Sequence, residues 1–162
     1  MTKKIKKSSV FSLNSVELLD YQPNRYPFLM IDFVTAVKPG EYANGFKNIS
    51  MNEWYIPQHF PGHPNVPGAL QLEALAQMLT VAITTLPGNK GKFTFAISHK
   101  VKFKKEVIPG DKFEIQASVI NYNRGICKGI GKGITNGTLA CEAEMNIAIP
   151  DILEKYKPKK KK

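Results

Sequence analysis

The chain has 162 residues, 43% of them apolar, which suits one soluble domain long enough to bury a core of its own. Its net charge of +10 invites a nucleic-acid partner, but the charge sits at the ends: four lysines and no acid in residues 1–8, and six lysines against Glu154 in residues 154–162. Only +1 remains for residues 9–153, and no aromatic-basic interleaving or zinc-finger spacing accompanies it, so a nucleic-acid function is set aside.

We read residues 1–9 and 153–162 as basic flexible tails around a single domain over 10–152. The lysines of the N-terminus precede no apolar run, so no secretory signal is visible. Cys127 and Cys141 form no C-x-x-C pair and lie in strand-like runs, as small hydrophobes of a reducing compartment do; the expected location is the cytoplasm.

In chain order, "NSVELL" reads as a short helix with Asn14 or Ser15 as N-cap. "FLMIDFVTAV" predicts a strand that the turn pair Pro39-Gly40 closes, and "YANGFKNI" is its hairpin partner. "NEWYIPQHFPGHPNVPG" holds too much proline and glycine for a helix or central strand, and predicts an irregular loop fixing Trp54, Tyr55 and Phe60.

A long helix follows, with Pro67 in its first turn and "LPGNKG" as its stop. It is apolar nearly all round, which predicts burial nearly all round. Its polar residues Glu73, Gln77, Thr80 and Thr84 fall at i, i+4, i+7 and i+11, a single stripe. That stripe and Gln71 exclude a membrane span. Four strand-like runs complete the chain: "KFTFAISHKVKFKKEV", "KFEIQASVINY", "GICKGIGKGI" and "TLACEAEMNIAI". One long helix wrapped by an antiparallel sheet is the simplest way to bury it, giving an α+β fold.

Glu73 is the only formally charged residue between Glu53 and Lys90. A carboxyl group on a buried helix is costly unless paired or neutralised. It reads either as a general acid or as a structural group bound to a buried N–H or a partner from elsewhere. His59 and His63 have a spacing that would suit zinc on a helix, but Pro61, Gly62 and Pro64 forbid the helix, so no metal is expected. The rigid "FPG" turn can hold the His59 ring firmly. Gly68 lies at the helix start, where amides are unpaired, the dipole end is positive and no side chain obstructs a carbonyl oxygen. Base, acid and carbonyl polariser together suit proton abstraction beside a carbonyl with loss of a β-hydroxyl.

"RYPFLMID", "HFPGHPNVPGALQLEALAQ" and "VKFKKEVIPGD" resemble the β-hydroxyacyl-acyl carrier protein dehydratases of the FabZ type, over about Tyr21 to Ile149. The resemblance implies a hot-dog fold, His59 as catalytic base, Glu73 as the acid or water-orienting partner that helps the hydroxyl leave, and Gly68 as the amide that holds the thioester carbonyl. It implies no cofactor and a homodimer whose sites each take His59 and Glu73 from different subunits, leaving dimer or trimer of dimers open. FabA-type relatives, which also isomerise the double bond, carry aspartate at the Glu73 position. Acyl carrier protein is the implied partner, with Lys100, Lys102, Lys104 and Lys105 as a docking face; a plain solvated strand face is the competing reading. Phe60, Leu72, Ala76 and Leu79 are candidates for the acyl tunnel, though the same periodicity describes a plain core.

Three positions depart from the family's usual pattern. Asn24 stands where "PHRYPF" has histidine, Gln58 where glycine precedes the catalytic histidine, and Glu106 where "RFRRPV" has proline. Two other functions compete: a hot-dog thioesterase, and a non-enzymatic module that binds acyl groups or acyl carrier protein.

Overall fold

The computed structural model describes residues 9–156; the two lysine runs at the chain ends lie almost wholly outside them. Strand β1 (Phe11–Leu13) leads into a one-turn helix α1 (Ser15–Leu18). Asn14 is the N-cap: its side chain accepts from the amides of Val16 and Glu17, and the Glu17 carboxylate accepts from the amide of Asn14. Strands β2 (Phe33–Lys38) and β3 (Tyr42–Asn48) form the first hairpin. Helix α2 (Gly68–Thr84) separates it from β4 (Phe95–Phe103), β5 (Lys112–Asn123), β6 (Ile126–Thr135) and β7 (Thr138–Ala148). A short helix α3 (Pro150–Leu153) and a 3-10 turn (Glu154–Tyr156) carry ordered structure past the domain end expected at residue 152.

All seven strands join one antiparallel sheet in the order β1-β2-β3-β5-β6-β7-β4. Strands β5 to β7 alternate buried and exposed residues, so one face meets α2 and the other meets water. The two-residue turn Asn136-Gly137 has both residues at positive φ, the geometry that matches the twist of a tight hairpin. Helix α2 packs on β3, β5, β6 and β7, and twelve of its residues are buried. Strand β6 lets it come close: a Cβ on Gly129 would sit 2.5 Å from Leu79, and one on Gly131 would sit 2.8 Å from Leu75. Leu75 and Leu79 are wholly buried there, each contributing about 1.5–3 kcal/mol. This is the α+β, hot-dog architecture expected from the sequence.

Two local expectations change. Pairing in "FLMIDFVTAV" begins only near Asp32, whose amide donates to Phe46; upstream, the amide of Phe28 turns back to Arg25 and that of Met30 goes to the Gln77 side chain. Pro67 is the N-cap of α2 rather than a first-turn residue. Among the described residues no helix is long and apolar enough to cross a membrane.

Candidate active site

The loop before α2 is built to hold one histidine. Buried Tyr55 packs edge-on against Trp54, and the Trp54 indole N–H donates to the carbonyl of Pro27, tying this loop to the one before β2. A 3-10 turn over Ile56–Gln58 ends at His59, and reciprocal backbone bonds between Phe60 and His63 close the Pro61-Gly62 turn. The Phe60 ring stacks on the imidazole with centroids 4.2 Å apart.

His59 Nδ1 lies 3.1 Å from the carbonyl oxygen of Asn65, and the Asn65 amide donates back to the His59 carbonyl at 2.9 Å. A carbonyl only accepts, so Nδ1 carries the proton and Nε2 of the neutral ring keeps its lone pair. The ring is thereby oriented as a base. Asn65 in turn is fixed by its side-chain bond to the His63 carbonyl, and the next residue, Val66, bonds to Val107.

Gly68 opens α2. Pro67 makes no side-chain cap, so the first amides of this helix have no acceptor within it. Gly68 faces a cleft shared with Asn65, Val66, Gln71 and Phe103. A Cβ there would lie 2.9 Å from Cζ of the half-exposed Phe103 ring, which would have to swing aside. Nothing in the local spacing of the sequence connects Phe103 to Gly68.

Glu73 follows five residues later, about 7.5 Å along the axis and roughly 140° around it from Gly68. It is half-buried, and its carboxyl group has partners. Oε1 accepts from Gln77 Nε2 at 2.9 Å and from Asn24 Nδ2 at 3.2 Å. Gln77 is locked, since its Oε1 accepts from the Met30 amide and its Nε2 also donates to the Phe28 carbonyl. The polar stripe was thus legible, but the contact with Asn24, 49 residues away in the chain, was not. Further along the stripe, Thr80 bonds to Thr94, and Thr84 to the Thr80 carbonyl.

Within one chain His59 and Glu73 are held by separate sets of partners. His59 belongs with Asn65 and the helix start; Glu73 belongs with Asn24 and Gln77.

The remaining candidates divide. Leu72 and Ala76 are half-buried on the side of α2 that carries Glu73, open to a ligand or a second chain. Leu79 is wholly buried against Gly129 and packs in the core of the single chain. Phe60 is 54% exposed and touches His59 instead of lining an enclosed channel in the single chain. Lys100, Lys102 and Lys104 are exposed, but Lys100 pairs in register with Glu144, Lys102 with Glu142, and Lys104 Nζ reaches Glu142 at 3.1 Å. The face is therefore mixed in charge, not a plain lysine strip, and Lys105 lies beyond the strand end. His63 pairs with Glu106 at 2.9 Å, both exposed, so one departure from the family's pattern has found a surface partner. Gln58 is exposed at the end of the 3-10 turn. Burial pushes the thiols of Cys127 and Cys141 up, to about 12 and about 11, so both are inert hydrophobes.

The fold and this pair of held side chains define a hot-dog protein with an oriented histidine and a half-buried carboxyl group on the central helix. The chain belongs to the family of FabA-like domains, whose model matches residues 22–144. A 3-hydroxyacyl-[acyl-carrier-protein] dehydratase FabZ from Roseiflexus castenholzii is 42% identical over 138 residues, covering 85% of this chain and 96% of the relative. One of the same name from Haemophilus influenzae is 44% identical, covering 84% and 93%. Among solved structures, a chain of the dehydratase heterocomplex ApeI:P from Xenorhabdus doucetiae matches with a TM-score of 0.72 at 16% identity, over 85% of this chain and 95% of that one. At that identity the likeness speaks for the fold.

Proposed function

We propose that the protein is a 3-hydroxyacyl-acyl carrier protein dehydratase of fatty acid biosynthesis. The observation that carries this reading is the Nδ1 bond from His59 to Asn65, which leaves Nε2 as a free, oriented base beside the uncapped start of α2. The thioester carbonyl accepts from the Gly68 amide, which lowers the cost of charge building on its oxygen. His59 Nε2 removes the proton from C2, the C2–H electrons form the C2=C3 bond, and the C3–O bond breaks. Glu73 gives its proton to the departing hydroxyl, which leaves as water.

Two chains make the complete site. Strand β4 is a sheet edge with no partner on its outer side among the described residues, and Phe93, Phe95, Ile97 and Phe103 lie about half exposed on or beside it. An apolar edge of this kind is suited to pairing with a second copy, which would bring His59 of one chain to Glu73 of the other. Acyl carrier protein is the partner, docking near Lys100, Lys102, Lys104 and Lys105, where lysines outnumber the two glutamates. Leu72, Ala76 and Phe60 then flank the acyl chain once the dimer closes. Two unpaired cysteines fit a cytoplasmic enzyme.

The test is incubation with 3-hydroxyacyl-acyl carrier proteins of several chain lengths, read by mass spectrometry. Loss of one water supports the reading. Release of free carrier thiol would favour a thioesterase, and binding without turnover a non-enzymatic module.

A further inference from the structure

We propose that Asn24 is a positioning residue for catalysis: it fixes Oε1 of Glu73 and so makes Oε2 the oxygen that carries the acid's proton. This rests on the reading of Glu73 as the general acid. An amide N–H can only donate, and both amide donors at Glu73 end on the same atom, Oε1. A protonated carboxyl group held this way must place its own proton on the other oxygen. Among the described residues Oε2 receives no hydrogen bond, which leaves it for the substrate hydroxyl.

The orientation of the Gln77 donor is determined rather than arbitrary. The Gln77 amide cannot flip, because its oxygen is occupied by the Met30 amide. Asn24 is tied into a closed ring: its backbone N–H donates to Gln22 Oε1, Gln22 Nε2 donates to the Gln77 carbonyl, and Gln77 and Asn24 meet again at Glu73. Gln22 is 2% exposed, so this ring has a rigid base. The adjacent cation, Arg25, spends its guanidinium on the carbonyls of Leu19, Gln22 and Asn24 and makes no ion pair with Glu73. Glu73 is thus gripped by neutral donors alone. A histidine at position 24, the usual residue of the family's motif, also offers an N–H, so the departure keeps the donor while removing a group that titrates near neutrality.

The experiment compares Asn24→Asp, Asn24→Leu and Asn24→His with the parent, by kcat and KM for a 3-hydroxyacyl-acyl carrier protein. Melting curves check that each variant folds. Asn24→Asp keeps the size but sets acceptor against acceptor. It and Asn24→Leu are expected to lower kcat by about 10- to 100-fold, with KM changed by less than about threefold, as loss of a hydrogen bond to an ionisable group implies. Asn24→His is expected to recover most of that loss. In parallel, the Asn24 side-chain amide signal in ¹H–¹⁵N NMR should move on Glu73→Gln, a readout that needs no turnover. Parent-like kcat in Asn24→Asp, or an Asn24 signal indifferent to Glu73→Gln, overturns the proposal. A parent protein that dehydrates nothing while the signal moves refutes the dehydratase reading and Asn24's catalytic role with it, and leaves only the hydrogen bond.

Discussion

The imidazole of His59 and the backbone carbonyl of Asn65, six residues apart, hold each other in place: Nδ1–H donates to the carbonyl at 3.1 Å and the Asn65 amide returns the bond at 2.9 Å. The acceptor belongs to the main chain, so the tautomer of His59 is set by how the loop folds and not by another side chain that might titrate. The same loop ends in the uncapped start of α2, so the held imidazole and the helix start belong to one continuous segment.

Removing the base should therefore cost rate and little else. His59→Ala is expected to lower kcat by about 10²- to 10⁴-fold, the usual range for one acid–base group, with a melting temperature close to the parent's because the ring is only half-buried. Steady-state kinetics and a thermal melt check both halves.

Gly68 should matter for rate more than for stability. Gly68→Ala would put a Cβ 2.9 Å from Phe103 Cζ, but that atom is the outer end of a half-exposed ring that can swing aside, so the stability cost should stay near about 0.5 kcal/mol. Adding Phe103→Leu should remove even that contact, read by denaturant titration. Any loss of kcat that remains in the folded double variant then belongs to the ligand's approach to the Gly68 amide.

Reversing Lys102 and Lys104 to glutamate should raise KM for carrier-bound substrate while leaving a short pantetheine thioester unaffected. The effect should be largest at low salt and vanish near 1 M, where screening acts over about 3 Å. Lys104→Glu also removes the Glu142 ion pair, so a melt must accompany the kinetics. Equal KM values for parent and variant at low salt would remove the docking face from the account.

Asp111 should contribute to stability in acid. Burial pushes its carboxyl up, but the Ile108 amide, the Asn136 side chain and nearby Lys105 more than offset this and hold it below its ordinary value of 3.8. A carboxylate lowered on folding stabilises the folded form above its unfolded value and loses that contribution as pH falls through the folded one. Melting temperature should therefore drop below about pH 4, and Asp111→Asn should flatten that slope, which a series of melts from pH 2 to 5 will show.

Much of this was legible because the relevant signals are local. Alternation marked β5 to β7, whose faces differ sharply in burial, and the "HFPGHPNVPG" run announced a shaped loop before a helix. The stretch over residues 28–32 misled because Met30 and Ile31 are consecutive and both buried, which strand alternation does not produce. The three residues of β1 carry too little pattern to read. Periodicity put Leu72, Ala76 and Leu79 on the helix but could not say that Gly129 would draw Leu79 into the core. The partners of Glu73 were hidden for a different reason: Asn24 was visible only as a departure from a motif, and nothing in local spacing links it to a residue so distant in the chain.

The most direct measurement is complementation between two inactive variants. His59→Ala and Glu73→Gln are prepared separately, mixed, allowed to exchange subunits, and assayed for dehydration of a 3-hydroxyacyl-acyl carrier protein. Each mixed dimer regains one site with both groups intact, so activity should return to roughly a quarter of the parent's at equal mixing, against near zero for either variant alone. If either variant alone dehydrates the substrate at close to the parent's rate, or if subunits exchange without any return of activity, a shared His59–Glu73 site is contradicted.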